Sequence, residues 1–514
     1  MYDDRDRRDF AAIPPPRSSV EHVVDYAVIG AGPAGLQLAY LLGKAGLDYV
    51  VLEDGDTPGT FFRTYPRHRR MISINKPHTG WHDPDKDLRV DWNSLLSDDP
   101  DLRFTRYTDR YFPDADDYLR YLADFARGLN VQYDCRVRRV DKGFRVHCEN
   151  GETIEAKRVI VATGFGAPRI PSIPGIETTE RYADVSIDPD DFTDQRVFII
   201  GKGNSAFETA DNLTERAAVI HVAGPSSLKL AWRTHFIGHL RAVNNNFLDT
   251  YQLKTQNMVL DGDIVKIQRR PNDYLVTFAY ARRDRVVQLA YDRVITCTGF
   301  RMDASIFDGD CRPELTINDR FPALTPEWES VNVPGLYFAG TLTQSRDFKK
   351  YTSAFIHGFR YGIRALVRML QHKYHGADWP HRSVPTDDIA DAVLARINRT
   401  SALFQQFGFL CDVITPDGRY YEEMPLDYVP YDECLTVSLE YGAGHDAIDP
   451  FDIAAGRAWE ADTSHDDRYL HPVIRRHSNG QVVATCRLPE DICNDWIDET
   501  TYRDPLRAFI KDSL

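Results

Sequence analysis

The chain has no Cys-x-x-Cys pair. Its eight cysteines, at positions 135, 148, 297, 311, 411, 434, 486 and 493, are scattered through 514 residues. That excludes a zinc ribbon or a thioredoxin-like dithiol and favours reduced, mostly buried thiols. Positive charge is in deficit: 62 Lys and Arg against 77 Asp and Glu leave a net −15 at pH 7, the wrong balance for a protein whose main partner is nucleic acid. No apolar leader opens the chain, seven of its first nine residues being charged, so a cytoplasmic location is the expectation. A membrane-spanning run is missing too. The one long uncharged stretch, Tyr26 to Gly43, is broken by Gly30, Gly32, Pro33, Gly35 and Gly43 and reads as strand, turn and helix. Low-complexity tracts are absent. With 42% hydrophobic and 27% charged residues, a chain of this length is globular and holds two or three domains.

Tyr26-Ala27-Val28-Ile29 is a short apolar strand, followed by Gly30-Ala31-Gly32-Pro33-Ala34-Gly35, a helix to about Ala45, and a second strand, Tyr49 to Leu52, that ends on Glu53. Each part suits a bound dinucleotide. Gly30 permits the tight turn, Gly32 lets backbone approach a pyrophosphate, and Gly35 lets helix and strand pack closely. The helix N-terminus, opened by Pro33 and Ala34, presents its N–H groups to phosphate, and Glu53 is placed to accept hydrogen bonds from ribose hydroxyls.

The pattern recurs at Arg196 to Ile200, then Gly201-Lys202-Gly203-Asn204-Ser205-Ala206, then a helix to about Thr214. Ala206 replaces the third glycine, as the fingerprint allows. The next strand, Ala218 to Val222, ends without a carboxylate, and Lys229 and Arg233 follow it. A missing acid with basic residues nearby points to a 2′-phosphate, hence NADPH rather than NADH. Two further apolar strands open into Thr-Gly, at Thr163-Gly164 and Thr298-Gly299, where small residues let a crossing chain approach a cofactor; both are expected in the first nucleotide domain.

The predicted fold class is α/β, with two Rossmann-like dinucleotide-binding domains and a small appended C-terminal domain. The expected boundaries are a polar arm over 1–24, a first dinucleotide-binding domain from 25–175 plus 290–375, an NAD(P)H-binding domain over 176–289, and the appended domain over 376–514.

Two glycine units of this kind resemble the class B flavin monooxygenases, and the resemblance implies FAD in the domain of 25–175 plus 290–375 and NADPH in the domain of 176–289. Longer strings, Tyr65-Pro66-Arg67-His68-Arg69, Ile72-Ser73-Ile74-Asn75-Lys76, Leu248-Asp249-Thr250-Tyr251-Gln252-Leu253-Lys254 and Phe355-Ile356-His357-Gly358-Phe359-Arg360, resemble the FAD-dependent oxidoreductase domain-containing family along nearly the whole chain. The monooxygenase histidine before the second glycine motif is absent; Tyr182-Ala183-Asp184-Val185 stands there. The resemblance implies an NADPH-dependent flavin monooxygenase in which O₂ adds at flavin C4a and the resulting peroxide oxygenates a small substrate, most readily by N-hydroxylation of an amine or amino acid. Baeyer–Villiger chemistry, S-oxygenation and a non-catalytic flavoprotein scaffold stay open. A disulfide reductase would need a dithiol beside the flavin.

Asn75 sits where related monooxygenases place an amide beside C4a and the nicotinamide, and it is the candidate catalytic residue, able to donate and accept. Arg67, His68 and Arg69 are candidates to clamp a substrate carboxylate; Lys349 and His235 are further substrate candidates. His357, on an apolar helix face, reads as a core histidine. No metal site is expected. The partners are O₂ and a small molecule, and the oligomeric state is left open between monomer and homodimer.

Overall fold

The computed structural model describes residues 23–65, 68–254, 256–282, 284–442, 444–452 and 468–513. The first sheet is built on Val24–Ile29, buried along almost its whole length as a central parallel strand must be. It pairs in parallel with Tyr49–Leu52 on one side and with Thr153–Val161 on the other. Val131–Gln132 extends one edge, the antiparallel strands Arg145–Cys148 and Val137–Asp141 extend the other, and Leu336–Phe338 adds in parallel to Val159–Val161. The helix Pro33–Lys44 starts with Pro at its first position, where the missing N–H costs nothing, and buries Leu36, Leu38, Ala39 and Leu42.

The second sheet runs in the order Val286–Tyr291, Tyr274–Tyr280, Met258–Arg269, Val219–Gly224, Arg196–Ile200, Arg293–Thr296, Glu180–Arg181. One expectation is corrected here. Arg293–Thr296, assigned from sequence to the first nucleotide domain, lies in this second sheet, with Val294, Ile295 and Thr296 opposite Phe198, Ile199 and Ile200. A fully buried apolar run fits the middle of either parallel sheet, and its composition carries no address.

The third sheet is antiparallel and six-stranded, ordered His381–Ser383, Arg419–Pro425, Leu410–Ile414, Cys434–Glu440, His471–Ser478, Gln481–Arg487. It is fixed to the long helix Ile356–His375, which ends at the left-handed Gly376. Arg364 and Arg368 on this helix meet Glu423 at 2.6 and 3.3 Å, and Arg396 reaches Asp412 at 3.0 Å and Glu423 at 2.9 Å. The two carboxylates are buried, Arg396 nearly so, and Arg364 and Arg368 are half-buried beside them. Three guanidinium groups hold the Glu423 carboxyl, against the cost of its burial, down at about 2.

The thiol expectation is also corrected: Cys135 and Cys148 are joined in a disulfide, Cα atoms 5.5 Å apart. Their separation of 13 residues resembles no redox motif, and only the folding back of two neighbouring strand ends brings them together. Cys297, Cys311, Cys411 and Cys434 are free and buried. Among the described residues no helix is long and apolar enough to cross a membrane, and no group of His, Cys, Asp and Glu is arranged for a metal ion.

Candidate active site

The two glycine turns have the same geometry. Gly30 has φ +101°, and a Cβ there would lie 2.9 Å from the Ala162 carbonyl oxygen. Gly201 has φ +128°, and a Cβ there would lie 2.1 Å from the Cys297 carbonyl oxygen. Each first glycine is therefore dictated by positive φ and by a strand end crossing beneath it. The crossing segments are the two Thr-Gly ends, Thr163-Gly164 at the first turn and Thr298-Gly299 at the second, one for each nucleotide. The middle glycines differ from these: a Cβ on Gly32 or Gly203 would meet nothing within 4 Å. No protein atom demands glycine there, and the open space at the N-terminus of each following helix is a cradle for phosphate. This is the observation by which the residues present fit two dinucleotides.

Glu53 is buried at the edge of the first cradle. Its carboxylate accepts from the Ala31 N–H at 2.5 Å and from the Thr60 hydroxyl at 2.6 Å, which fixes it at the strand end with lone pairs left for ribose hydroxyls. The disulfide supports the same wall, since the Cys135 N–H donates to the Glu53 carbonyl at 2.9 Å. Gly340, φ +70°, closes the turn from the other side; a Cβ there would stand 2.6 Å from that of Ala34. The sequence signal for Gly340 was available, since it follows an apolar strand just as Gly164 and Gly299 do.

At the second turn, backbone N–H groups of Asn204 and Ser205 open the helix Asn204–Leu213, and Ala206 is fully buried. The Asn204 side chain is committed to the following loop, donating to the His239 carbonyl at 2.8 Å and accepting from the Arg241 N–H at 2.9 Å. Lys229 and Arg233 are exposed beyond the strand end. Lys202 reaches across to Asp261 and to the Ser226 carbonyl.

Asn75 is fully buried, and its amide donates to the carbonyls of Thr108 at 2.7 Å and Arg110 at 3.3 Å, while Oδ1 has no partner. As placed, it keeps no N–H to offer a reacting oxygen, and this corrects the donor role read from its position. Its backbone neighbour matters instead: the Ile74 carbonyl accepts from the N–H of Trp92 at 3.1 Å. Arg69 is also withdrawn as a substrate clamp, because its guanidinium is taken by Asp116 at 2.5 Å and the Phe62 carbonyl at 2.7 Å. His68 meets the Thr209 hydroxyl at 3.2 Å, joining the two nucleotide halves. Arg67 lies outside the described residues. Lys349 is exposed, packed over Phe348.

A cavity of about 930 Å³ opens where the two nucleotide units and the third sheet meet. Its wall takes in Trp92, the segment from Ala231 to Ala242, Lys350 to Thr352, His357, Phe404 and Tyr441. Of the predicted substrate residues that are described, only His235 lines it, with Nε2 2.9 Å from the Ile448 carbonyl. His357 is 2% exposed and stacks on Trp92 at 4.3 Å and on Phe355 at 5.8 Å, and neither ring nitrogen has a hydrogen-bond partner. Burial, then the nearby charges of Arg360 and Arg241, hold its pKa well below the ordinary imidazole range, so it is neutral. Arg360, itself fully buried, donates to the carbonyls of Leu88, Asp91 and Ser94 at 2.7–3.0 Å and so anchors the loop that carries Trp92. Trp92 stands in Asp91-Trp92-Asn93-Ser94-Leu95-Leu96-Ser97, one of the strings that carry the family resemblance, but neither it nor Arg241 had a role assigned from sequence, because they meet only through the tertiary fold.

A family model described as pyridine nucleotide-disulphide oxidoreductase matches residues 27–340, from the first strand to the closing glycine. The chain is 36% identical to the FAD-dependent oxidoreductase domain-containing protein 2 of Mus musculus, over 95% of this chain and 84% of that protein. It is 26% identical to the flavin-containing monooxygenase FMO GS-OX5 of Arabidopsis thaliana, over 63% of this chain and 71% of that one. A solved flavin-containing monooxygenase from Stenotrophomonas maltophilia superposes with a TM-score of 0.54 at 22% identity, covering 68% of this chain and 99% of its own. That last likeness is one of fold.

Proposed function

We propose that this chain, which belongs to the pyridine nucleotide-disulphide oxidoreductase family, uses NADPH, FAD and O₂ to place one oxygen atom on a small substrate. Its membership and its likeness to the FAD-dependent oxidoreductase domain-containing proteins make it an FAD-dependent oxidoreductase that takes FAD and NADPH. The oxygenase reading rests on one observation: two phosphate cradles, each open at its middle glycine, stand on one chain that also holds a large cavity between its units. Reduced FAD with O₂ supplies the oxygen transfer, and the protein supplies position and exclusion of water. The electrons balance as one hydride pair from NADPH, one oxygen atom to the substrate and the other to water.

N-hydroxylation of an amine or amino acid is the proposed reaction. An amine reacts through its lone pair and must be held as the free base. Glu440, the carboxylate on the cavity wall, is already engaged by Arg475 at 2.7 Å and by the Ser438 hydroxyl at 2.5 Å. With that carboxylate occupied and Arg241 nearby, the cavity gives an ammonium ion little stabilisation, which favours the neutral base.

The reductant is tested by mixing the oxidised yellow protein anaerobically with NADPH or NADH and following loss of flavin colour. NADPH should be preferred, and a double variant, Lys229→Ala with Arg233→Ala, should lose most of that preference, each charge-assisted contact being worth roughly 1.5–3 kcal/mol. Equal reduction of the wild type by both nucleotides would refute the assignment of the second site.

A further inference from the structure

We infer that the cavity between the three sheets binds a molecule with a flat aromatic body and a carboxylate, the carboxylate held by Arg241 and the body by the aromatic wall. This deepens the oxygenase reading, on which it rests for calling the occupant a substrate. Three observations carry it. First, each unit contributes aromatic rings to the wall: Trp92 from the first nucleotide unit, Trp232 and Phe236 from the second, Phe404, Phe407 and Tyr441 from the C-terminal region. Aromatic rings set around a cavity favour a ring between them, through contact area and offset or edge-on stacking.

Second, the charge on that wall is unbalanced. Arg241 lies over the Trp92 ring, 5.3 Å from its centroid, and one guanidinium nitrogen donates to the Ile72 carbonyl at 3.0 Å. No carboxylate among the described residues pairs with it. Lys350 adds a second positive charge to the wall, whereas Glu440 is neutralised by Arg475. A half-buried guanidinium without a counter-ion, with donors still free, is suited to a ligand carboxylate in bidentate geometry.

Third, His357 lines the same cavity with both ring nitrogens unpaired. A buried imidazole costs free energy when its donor and acceptor go unused, and such groups in native folds call for a partner. Being neutral, it has one N–H to donate and one nitrogen to accept. It stands against Trp92, over which Arg241 also lies, so one ring ties both polar groups to the same part of the wall.

The test is equilibrium binding to the oxidised holoenzyme without reductant, so failure here is separate from any failure of NADPH to reduce the flavin. Phenylacetate, phenylacetamide, phenethylamine and hexanoate are titrated against tryptophan fluorescence, with bound FAD and melting temperature recorded for each variant. Phenylacetate should bind at least about tenfold more tightly than the amide, the amine and hexanoate. Arg241→Met should bring phenylacetate down to the level of the amide. Trp232→Ala, at a rim position 36% exposed where the fold has little at stake, should weaken phenylacetate and phenylacetamide alike. If the wild type binds acid and amide equally, prefers the amine, or binds none of the four, the inference fails. Should Arg241→Met fail to fold, the wild-type comparison and Trp232→Ala still decide.

Discussion

Gly30, Gly32 and Gly35 meet three different constraints within six residues. Gly30 needs positive φ and room beneath Ala162. Gly35 needs contact, since a Cβ there would lie 1.8 Å from the Gly30 carbonyl oxygen. Gly32 has ordinary φ, −74°, and nothing within 4 Å of where its Cβ would be, which leaves the room that a pyrophosphate needs to approach the backbone. The two later positions should therefore fail differently. Gly35→Ala forces backbone apart and should cost about 1–3 kcal/mol or more in unfolding free energy. Gly32→Val should cost the cofactor-free protein no more than about 1 kcal/mol, the weaker N-cap, yet purify without FAD. Denaturant unfolding of cofactor-stripped proteins, beside flavin absorbance as purified, separates the two. A yellow Gly32→Val protein would place FAD elsewhere. These glycines, with Glu53, were legible in the sequence because their constraint is local. Asn75 and Arg69 were not, because what decides them, the carbonyls of Thr108 and Arg110 and the carboxylate of Asp116, comes from distant turns of chain.

The helix Asn204–Leu213 joins the second cradle to the first nucleotide unit. Thr209 meets His68, and Glu208 accepts the Tyr182 hydroxyl, whose ring stacks on Tyr65 at 5.4 Å. Burial pushes the half-buried Glu208 carboxyl up to about 8. An acid held above its usual range binds its proton more tightly in the fold than in the unfolded chain. The stability this confers is complete below about pH 4.5 and is lost as pH rises to about 8. Glu208→Gln keeps the carbonyl acceptor for Tyr182 and cannot ionise. It should match the wild type near pH 5 and exceed it near pH 8 by about 1–2 kcal/mol, allowing for partial exposure. Parallel stability curves for the two proteins from pH 5 to 8 would show that Glu208 ionises normally. Elements of this kind were visible in the sequence where period and punctuation agree, as at Arg196 to Leu213. The strand Arg293–Thr296 was visible as a strand but not as to its sheet. Its place follows from the pairing with Phe198 to Ile200 and from the Cys297 carbonyl beneath Gly201.

Across the whole molecule, the third sheet adds a wall to the cavity that the two nucleotide-binding units share. The charges of Arg364, Arg368, Arg396, Asp412 and Glu423 fasten it to the long helix whose first turn carries His357. Buried ion groups add little net stability, but they fix one arrangement against others, and here that arrangement sets the far wall of the cavity. None of this was readable beforehand. Trp92, Arg241, His357 and Phe404 lie far apart in sequence, and each alone looks like a core or surface residue. The sequence did make plain two dinucleotide sites in order, and the proposal that needs testing is that electrons from NADPH drive oxygen from O₂ into a small substrate. Its most direct test is to incubate the yellow protein with NADPH under oxygen-18 gas with aromatic amines and amino acids, counting NADPH consumed and label recovered by mass spectrometry. The account predicts at least one substrate that gains a single labelled oxygen atom for each NADPH oxidised. NADPH oxidation with all the label recovered as hydrogen peroxide or water across the panel, or no reduction of the flavin at all, would contradict it.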